Sequence, residues 1–282
     1  MVKDIAGNAI PAGKESAVFA GPASLTPFSK YEGVLALFYD LDHAWRPYEA
    51  QARLVAGLFK NPSQTRMLDF CCGSGTHALS LAQKGFQVTG LDASAALLSL
   101  ARRKTEEGGF AVPFKKRDVF SPRTGRELQN RYHGAYLLGW TLNMAPIWDH
   151  FKNILKNAEA ALLPGGLFIF DCAMGENVNP VQRKALKYEV SPELSGKLTI
   201  QKMEKSSNSQ SFVYNWEILG RGEKLYVSTQ EELSILSLKD ILSALRNFQD
   251  RFEIKALLGD YDSRKPFAAS HKNLVVVLKK RV

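Results

Sequence analysis

The sequence predicts an α/β protein: a mostly parallel sheet with helices on both faces, joined to a small antiparallel β insert. Three observations carry this expectation. Between Arg66 and Cys172, strand-like and helix-like segments follow each other in strict turn. The strand-like segments, such as "RMLDF" and "LFIFDC", are nearly continuous in apolar residues, as strands covered on both faces are. After Cys172 the rhythm gives way to strand-like runs separated by the hairpin-like breaks "SSNS" and "GRG".

Taken in order, residues 1–30 are rich in Gly, Ala, Ser and Pro without periodicity and read as a loose arm. "YEGVLALFYDL" and "PYEAQARLVAGLF" space apolar residues by three and four, so each predicts a helix, with Pro47 in the first turn of the second. "RMLDF" is the first strand and "THALSLAQKG" the helix after it. "FQVTGLD" is the second strand, and "SAALLSLARRKTEEGG" a helix with Ser94 as its N-cap and a glycine pair as its stop. "VPFKKRD" and "GAYLLGW" are the third and fourth strands. The amphipathic "DHFKNILKNAEAALLPGG" leads to the fifth, "LFIFDC". "KLTIQKMEK", "QSFVYNWEIL" and "EKLYVSTQEELSIL" predict three antiparallel strands. "SLKDILSALRNF", capped by Ser237, precedes two last strands, "FEIKALLGDY" and "NLVVVLKK". The expected organisation is therefore an arm (1–30), a seven-stranded sheet domain (31–173 and 237–282) and an insert (174–236).

Composition excludes some classes. A hydrophobic content of 45% suits a protein with a sizeable core. No apolar run approaches the roughly 20 residues of a membrane span. The N-terminus lacks the apolar centre of a secretory signal, so the cytoplasm is the expected compartment. Cys71 and Cys72 are adjacent, which suits neither a disulfide nor zinc-ligand spacing, and the five histidines form no HxxxH or HExxH group. No metal site is expected. The net charge is +9, and residues 95–134 alone carry nine basic and four acidic residues. Such a stretch attracts phosphate or nucleic acid, although aromatics are sparse within it.

In a parallel sheet, ligands bind at the carboxyl ends of the strands. "DFCCGSG" is the first such end, where Gly73 and Gly75 let the backbone turn tightly and approach a ligand. Asp92 ends the second strand, where a carboxylate accepts ribose hydroxyls, with Ala93 beside it. Asp118 ends the third, with the backbone of Val119 beside it, where acceptors reach an adenine amino group. The third glycine of a dinucleotide fingerprint is absent. Asp69, at the start of the loop, would repel a pyrophosphate and attract an amine. The site therefore suits adenosine joined to an amino acid better than adenosine joined to diphosphate.

These residues resemble the class I S-adenosylmethionine-dependent methyltransferases. "LDFCCGSGTHALSLAQKGFQVTGLDAS" is similar to their first motif and ribose-binding acid. "KKRDVF", "LLGWTLNM" and "ALLPGGLFIFD" are similar to the later motifs, in order. Closest in style are small-molecule N-methyltransferases with an antiparallel insert, such as the amino-sugar N,N-dimethyltransferases and glycine N-methyltransferase-like enzymes. The resemblance implies a Rossmann-like fold, S-adenosyl-L-methionine as cofactor, N-terminal helices acting as a lid and an insert over the active-site mouth. It implies that Asp69, Cys71 and Gly73 frame the methionine part of the cofactor, Asp92 and Ala93 the ribose, and Asp118 and Val119 the adenine. The backbone of Leu138 and Gly139 would border the sulfonium, and Tyr39 could reach the methionine carboxylate. Cys71 departs from the family, replacing its first glycine. If that position requires φ > 0, the strain is about 1–2 kcal/mol. A redox-sensing thiol pair is the alternative reading of Cys71 and Cys72.

Methyl transfer by direct displacement needs positioning and the exclusion of water rather than a nucleophilic side chain. No catalytic residue is assigned. "GWTLNMAP" retains Asn143 and Pro146 but lacks the N-P-P-Y motif of enzymes that methylate amide or base nitrogens. Trp140 is a candidate wall for the substrate, or simply core. Tyr214 and Trp216 lie on one face of the insert strand with Phe212, as substrate contacts or as packing. Tyr261 in "GDYD" is a further substrate candidate. A small-molecule acceptor, methylated on an amine nitrogen, is the expected partner. The rivals are an RNA or DNA methyltransferase using the basic 95–134 stretch, and an NAD-dependent oxidoreductase on a similar sheet. A binder that keeps the cofactor site without catalysis is a further alternative.

Overall fold

The computed structural model describes residues 31–144, 147–175, 186–206 and 208–282. The expected arm, Pro146 and the start of the expected insert lie outside the described residues. Two compact units emerge. One gathers described residues of 31–45 and 186–233, the other those of 46–175 and 234–282.

In the larger unit the strands are β1 (Arg66–Phe70), β2 (Gln87–Asp92), β3 (Phe114–Lys116), β4 (Tyr132–Leu137) and β5 (Leu162–Ala173), with β10 (Phe252–Gly259) and β11 (Asn273–Lys280). Strands β6 to β9 belong to the smaller unit. The order is β10-β11-β5-β4-β1-β2-β3. β1 pairs parallel with β2 and β4, β2 with β3 and β4 with β5, whereas β11 runs antiparallel to both its neighbours. The strand order reverses at β1 and β4, which is where such sheets bind ligands. Met67, Leu68, Asp69 and Phe70 are all buried, because helices cover both faces.

The helices of this unit are α2 (Tyr48–Gly57), α3 (Thr76–Gln83), α4 (Ala95–Glu107), α5 (Ile147–Ala161) and α6 (Leu238–Arg246). Ser94 caps α4 by accepting from Leu97 N. Ser237 and Asp240 form a reciprocal capping box on α6. Pro47 stands at the N-cap of α2, one position before its expected place.

Strands β3, β4 and β5 differ from expectation at their ends. β3 stops at Lys116, so Asp118 lies two residues beyond the strand, where its carboxylate accepts from Phe120 N and turns the chain. β4 starts at Tyr132 and stops at Leu137, because Gly139 (φ +84°) and Trp140 (φ +63°) leave the extended region. β5 begins at Leu162, with a register shift against β4 that accommodates "LPGG".

The smaller unit holds a four-stranded antiparallel sheet, β6 (Leu186–Ser191), β7 (Leu194–Lys205), β8 (Ser209–Gly220) and β9 (Glu223–Ser234), one strand more than expected. β6 is the missed edge strand. It is mostly exposed, although Leu186, Tyr188 and Val190 alternate with polar residues along it. The β8–β9 turn places Arg221 and Gly222 at positive φ (+50° and +82°), as two-residue hairpin turns favour. Residues Gly33–Phe38 form a 3-10 helix that runs into a short α1 (Tyr39–His43), where one continuous helix was expected. Phe38 packs on Trp216, with ring centroids 5.3 Å apart, and Asp42 accepts hydrogen bonds from Tyr31 and Tyr188.

Candidate active site

The loop after β1 turns through three residues in the left-handed region, Cys71 (φ +56°), Gly73 (+56°) and Gly75 (+77°). A Cβ on Gly75 would stand 2.9 Å from Ala101 Cβ, so only glycine lets α4 pack so closely there. Cys72 is buried in the core, against Gly90 of β2. Cys71 is partly exposed at the loop surface. Burial, with Asp92, Asp69 and Asp118 nearby, pushes its thiol well above the usual range. A thiol so disfavoured as thiolate is a poor redox sensor.

Asp92 ties the loop to the end of β2. Its carboxylate accepts from Gly73 N at 2.7 Å and from Ser94 N at 2.9 Å. Ala93 is half-buried beside it. Asp69 is buried beneath the loop, and its Oδ2 has no hydrogen-bond partner. Burial holds this carboxyl well above the usual carboxylate range, while the facing Tyr136 hydroxyl opposes the shift and Asp92 adds to it. Tyr136 stands opposite Asp69 in the β1–β4 register, near enough for that influence, yet its hydroxyl satisfies no hydrogen-bond geometry. A buried acceptor oxygen without a partner, under a loop of left-handed residues, fits the ammonium of an amino-acid-bearing ligand.

In the loop after β3, Val119 is buried and Asp118 is exposed. Asn157 of α5, which the sequence reading missed, organises this loop. Its amide donates to the Val119 and Ser121 carbonyls at 2.7 and 2.9 Å and accepts from Gly125 N at 2.7 Å. Two asparagines one turn apart in α5, Asn153 and Asn157, were the available signal.

The segment after β4 is built around another missed residue, Asp171 at the end of β5. It accepts from Gly139 N and Trp140 N, from Gln51 Nε2 and from the Tyr261 hydroxyl. Burial raises its carboxyl pKa, against these hydrogen bonds and the nearby Arg46 guanidinium. Arg46 packs so closely on Gly139 that a Cβ there would stand 2.3 Å from its guanidinium nitrogen. Gln51 also bonds His77 Nε2 at 2.8 Å. Burial and Arg46 lower the pKa of His77 to about 3, which keeps the ring neutral.

The structure therefore brings Asp69, Cys71, Gly73, Asp92, Ala93, Asp118, Val119, Leu138, Gly139 and Trp140 to the carboxyl ends of neighbouring strands. Tyr261 lies there too, but its hydroxyl is engaged by Asp171. The Trp140 indole is half-buried and donates to Asn273 at 2.7 Å. Asn143 is wholly buried and bonds the backbone of Ala173 and Ser234. Tyr39, Tyr214 and Trp216 belong to the smaller unit. There Tyr214 and Trp216 are 3% and 1% exposed, and Trp216 is packed between Phe38 and Tyr188. Tyr39 stacks edge-on to Tyr31. A cavity of about 610 Å³ opens elsewhere, at the amino ends of β1, β2 and β4 near Arg66, Val88 and Tyr132. It is remote from these strand ends.

Residues 67–166 match the family model described as a methyltransferase domain. The chain is similar to the dTDP-3-amino-3,6-dideoxy-alpha-D-glucopyranose N,N-dimethyltransferase of Streptomyces fradiae, 35% identical over 30% of this chain. It is also similar to the ubiquinone biosynthesis O-methyltransferase of Pectobacterium carotovorum, 32% identical over 50% of this chain. The chain spans 35% and 59% of those relatives' own lengths. Among solved structures, the sugar N-methyltransferase KedS8 from Streptoalloteichus superposes with a TM-score of 0.71 at 17% identity, covering 98% of this chain and 100% of that one. At that identity the likeness shows the fold.

Proposed function

We propose that the protein transfers a methyl group from S-adenosyl-L-methionine to a small-molecule acceptor, at an amine nitrogen. The observation that carries the cofactor half is the partnerless buried oxygen of Asp69 beneath a loop that Asp92 holds in place. Asp69 would hold the ammonium of the cofactor, Asp92 and Ala93 its ribose edge, and Asp118 and Val119 its adenine. The backbone of Leu138 and Gly139 would line the sulfonium, and Trp140 would wall the acceptor. When bound, the cofactor supplies an electrophilic methyl: the carbon–sulfur bond breaks as the carbon–nitrogen bond forms, sulfur leaves neutral, and the nitrogen sheds a proton to solvent. The chain's task is to orient, to exclude water and to leave the amine its lone pair. Similarity to the Streptomyces amino-sugar enzyme supports nitrogen, and supports an amino sugar as the acceptor class.

Calorimetric titration with S-adenosylmethionine, S-adenosylhomocysteine and NAD tests the cofactor. Binding of the first two is expected, weakened at least tenfold in Asp92→Ala, because the substitution frees Gly73 N and Ser94 N. Binding of NAD alone would overturn the proposal. Transfer of labelled methyl to dTDP-amino sugars, set against phenols, tests the acceptor. Label on the phenols only would sink the amine assignment.

A further inference from the structure

Asp171 is fully buried, and its carboxylate accepts four hydrogen bonds: from Gly139 N (3.1 Å), Trp140 N (2.9 Å), Gln51 Nε2 (3.2 Å) and Tyr261 Oη (2.7 Å). Four is about what a carboxylate can take, so little capacity remains for a substrate. Its donors come from α2 and from two turns that are distant in sequence. Each turn has two consecutive residues in the left-handed region, Gly139 (+84°) with Trp140 (+63°), and Asp260 (+48°) with Tyr261 (+61°). Residues bearing a Cβ resist that region, and they hold it only where the surroundings over-determine them. A second tie joins the same turns. The Trp140 indole donates to Asn273 Oδ1, while Asn273 donates through N and Nδ2 to Asp260 Oδ1.

We propose that Asp171 is a positioning residue that clamps the Leu138–Trp140 segment in the conformation the cofactor requires. This rests on the reading above, in which that segment borders the sulfonium. Without the clamp, the backbone N–H groups of Gly139 and Trp140 lose their acceptors and the strained turn relaxes. Ligand binding must then re-order it.

The test uses the full chain with S-adenosylhomocysteine as probe, comparing wild type with Asp171→Asn and Tyr261→Phe. Amide hydrogen exchange without ligand should quicken by 100-fold or more in Asp171→Asn at whichever of Gly139 and Trp140 faces the new amide NH2, because the two bond different oxygens of Asp171, with β1 and β2 unchanged. Calorimetry well below the unfolding temperature should show affinity reduced at least tenfold in Asp171→Asn and about threefold in Tyr261→Phe. A merely structural carboxylate would lower the unfolding temperature and leave that affinity alone. Affinity within twofold of wild type in Asp171→Asn, or unchanged exchange at both Gly139 and Trp140, would overturn the proposal. Should Asp171→Asn fail to fold, Tyr261→Phe decides by the same two readings. If wild type itself does not bind S-adenosylhomocysteine, the cofactor reading fails and the positioning role fails with it. The exchange arm still decides separately whether the clamp exists.

Discussion

Cys71 stands at φ +56°, a conformation that costs a residue with a Cβ about 1–2 kcal/mol. Its thiol is held neutral by burial and three carboxylates, so the strain is not offset by a reactive thiolate. Cys71→Gly should raise stability by about 1 kcal/mol in urea unfolding. His77 sets a pH dependence. Unfolded, it ionises near 6.5, and folded, at about 3. Between those values the unfolded chain binds more protons, so the contribution is complete above about pH 6.5 and is lost as pH falls. From pH 7 to 5 this amounts to about 2 kcal/mol. Urea unfolding at both pH values should show wild type losing that much more than His77→Gln. Equal losses would exclude His77 as the origin.

At the scale of elements, the loops after the strands are tied down by buried polar side chains on neighbouring elements. Asn157 of α5 is one such tie, and Asn157→Leu strands Gly125 N without an acceptor. Such a buried donor costs about 1–3 kcal/mol, which urea unfolding measures. Weaker adenosine binding by the same variant would follow from loosening the loop at Val119. Ser237 illustrates a local cap. Ser237→Ala removes the side-chain half of the box on α6 and should cost about 1 kcal/mol.

For the whole molecule, cofactor-product binding and folding are linked. S-adenosylhomocysteine at about 100 times its dissociation constant should stabilise the fold by about 2.7 kcal/mol, read as an upward shift in unfolding temperature. The basic 95–134 stretch makes a contrary demand, since phosphate binding weakens steeply with salt. Several of its cations are engaged within the chain. Arg102 donates to the Phe114 carbonyl, Lys104 to Ser74 and Thr76, Arg103 faces Glu107 and Arg117 pairs with Glu127. Among the described residues no helix is long and apolar enough to cross a membrane.

The sequence by itself determined the alternation of elements, the strand ends that carry Asp69 and Asp92, and the caps at Ser94 and Ser237. Each of these is a local matter: apolar runs mark covered strands, and a hydroxyl before an amphipathic run marks a helix start. Strand β6 was legible as the alternation of Leu186, Tyr188 and Val190 with Lys187, Glu189 and Ser191, yet only its pairing with β7 shows it as the sheet edge. The alternation of Phe212, Tyr214 and Trp216 was legible, but what covers that face was not, because the partners Phe38 and Tyr188 are distant in sequence. Only the tertiary structure decided that Cys71 is strained, that Asp69 keeps an unpartnered oxygen, and that Asp171 gathers donors from residues 51, 139, 140 and 261. The physical reason is common to all three. A backbone angle, an orphaned acceptor and a shared carboxylate are properties of groups brought together in space, and no spacing along one segment encodes them.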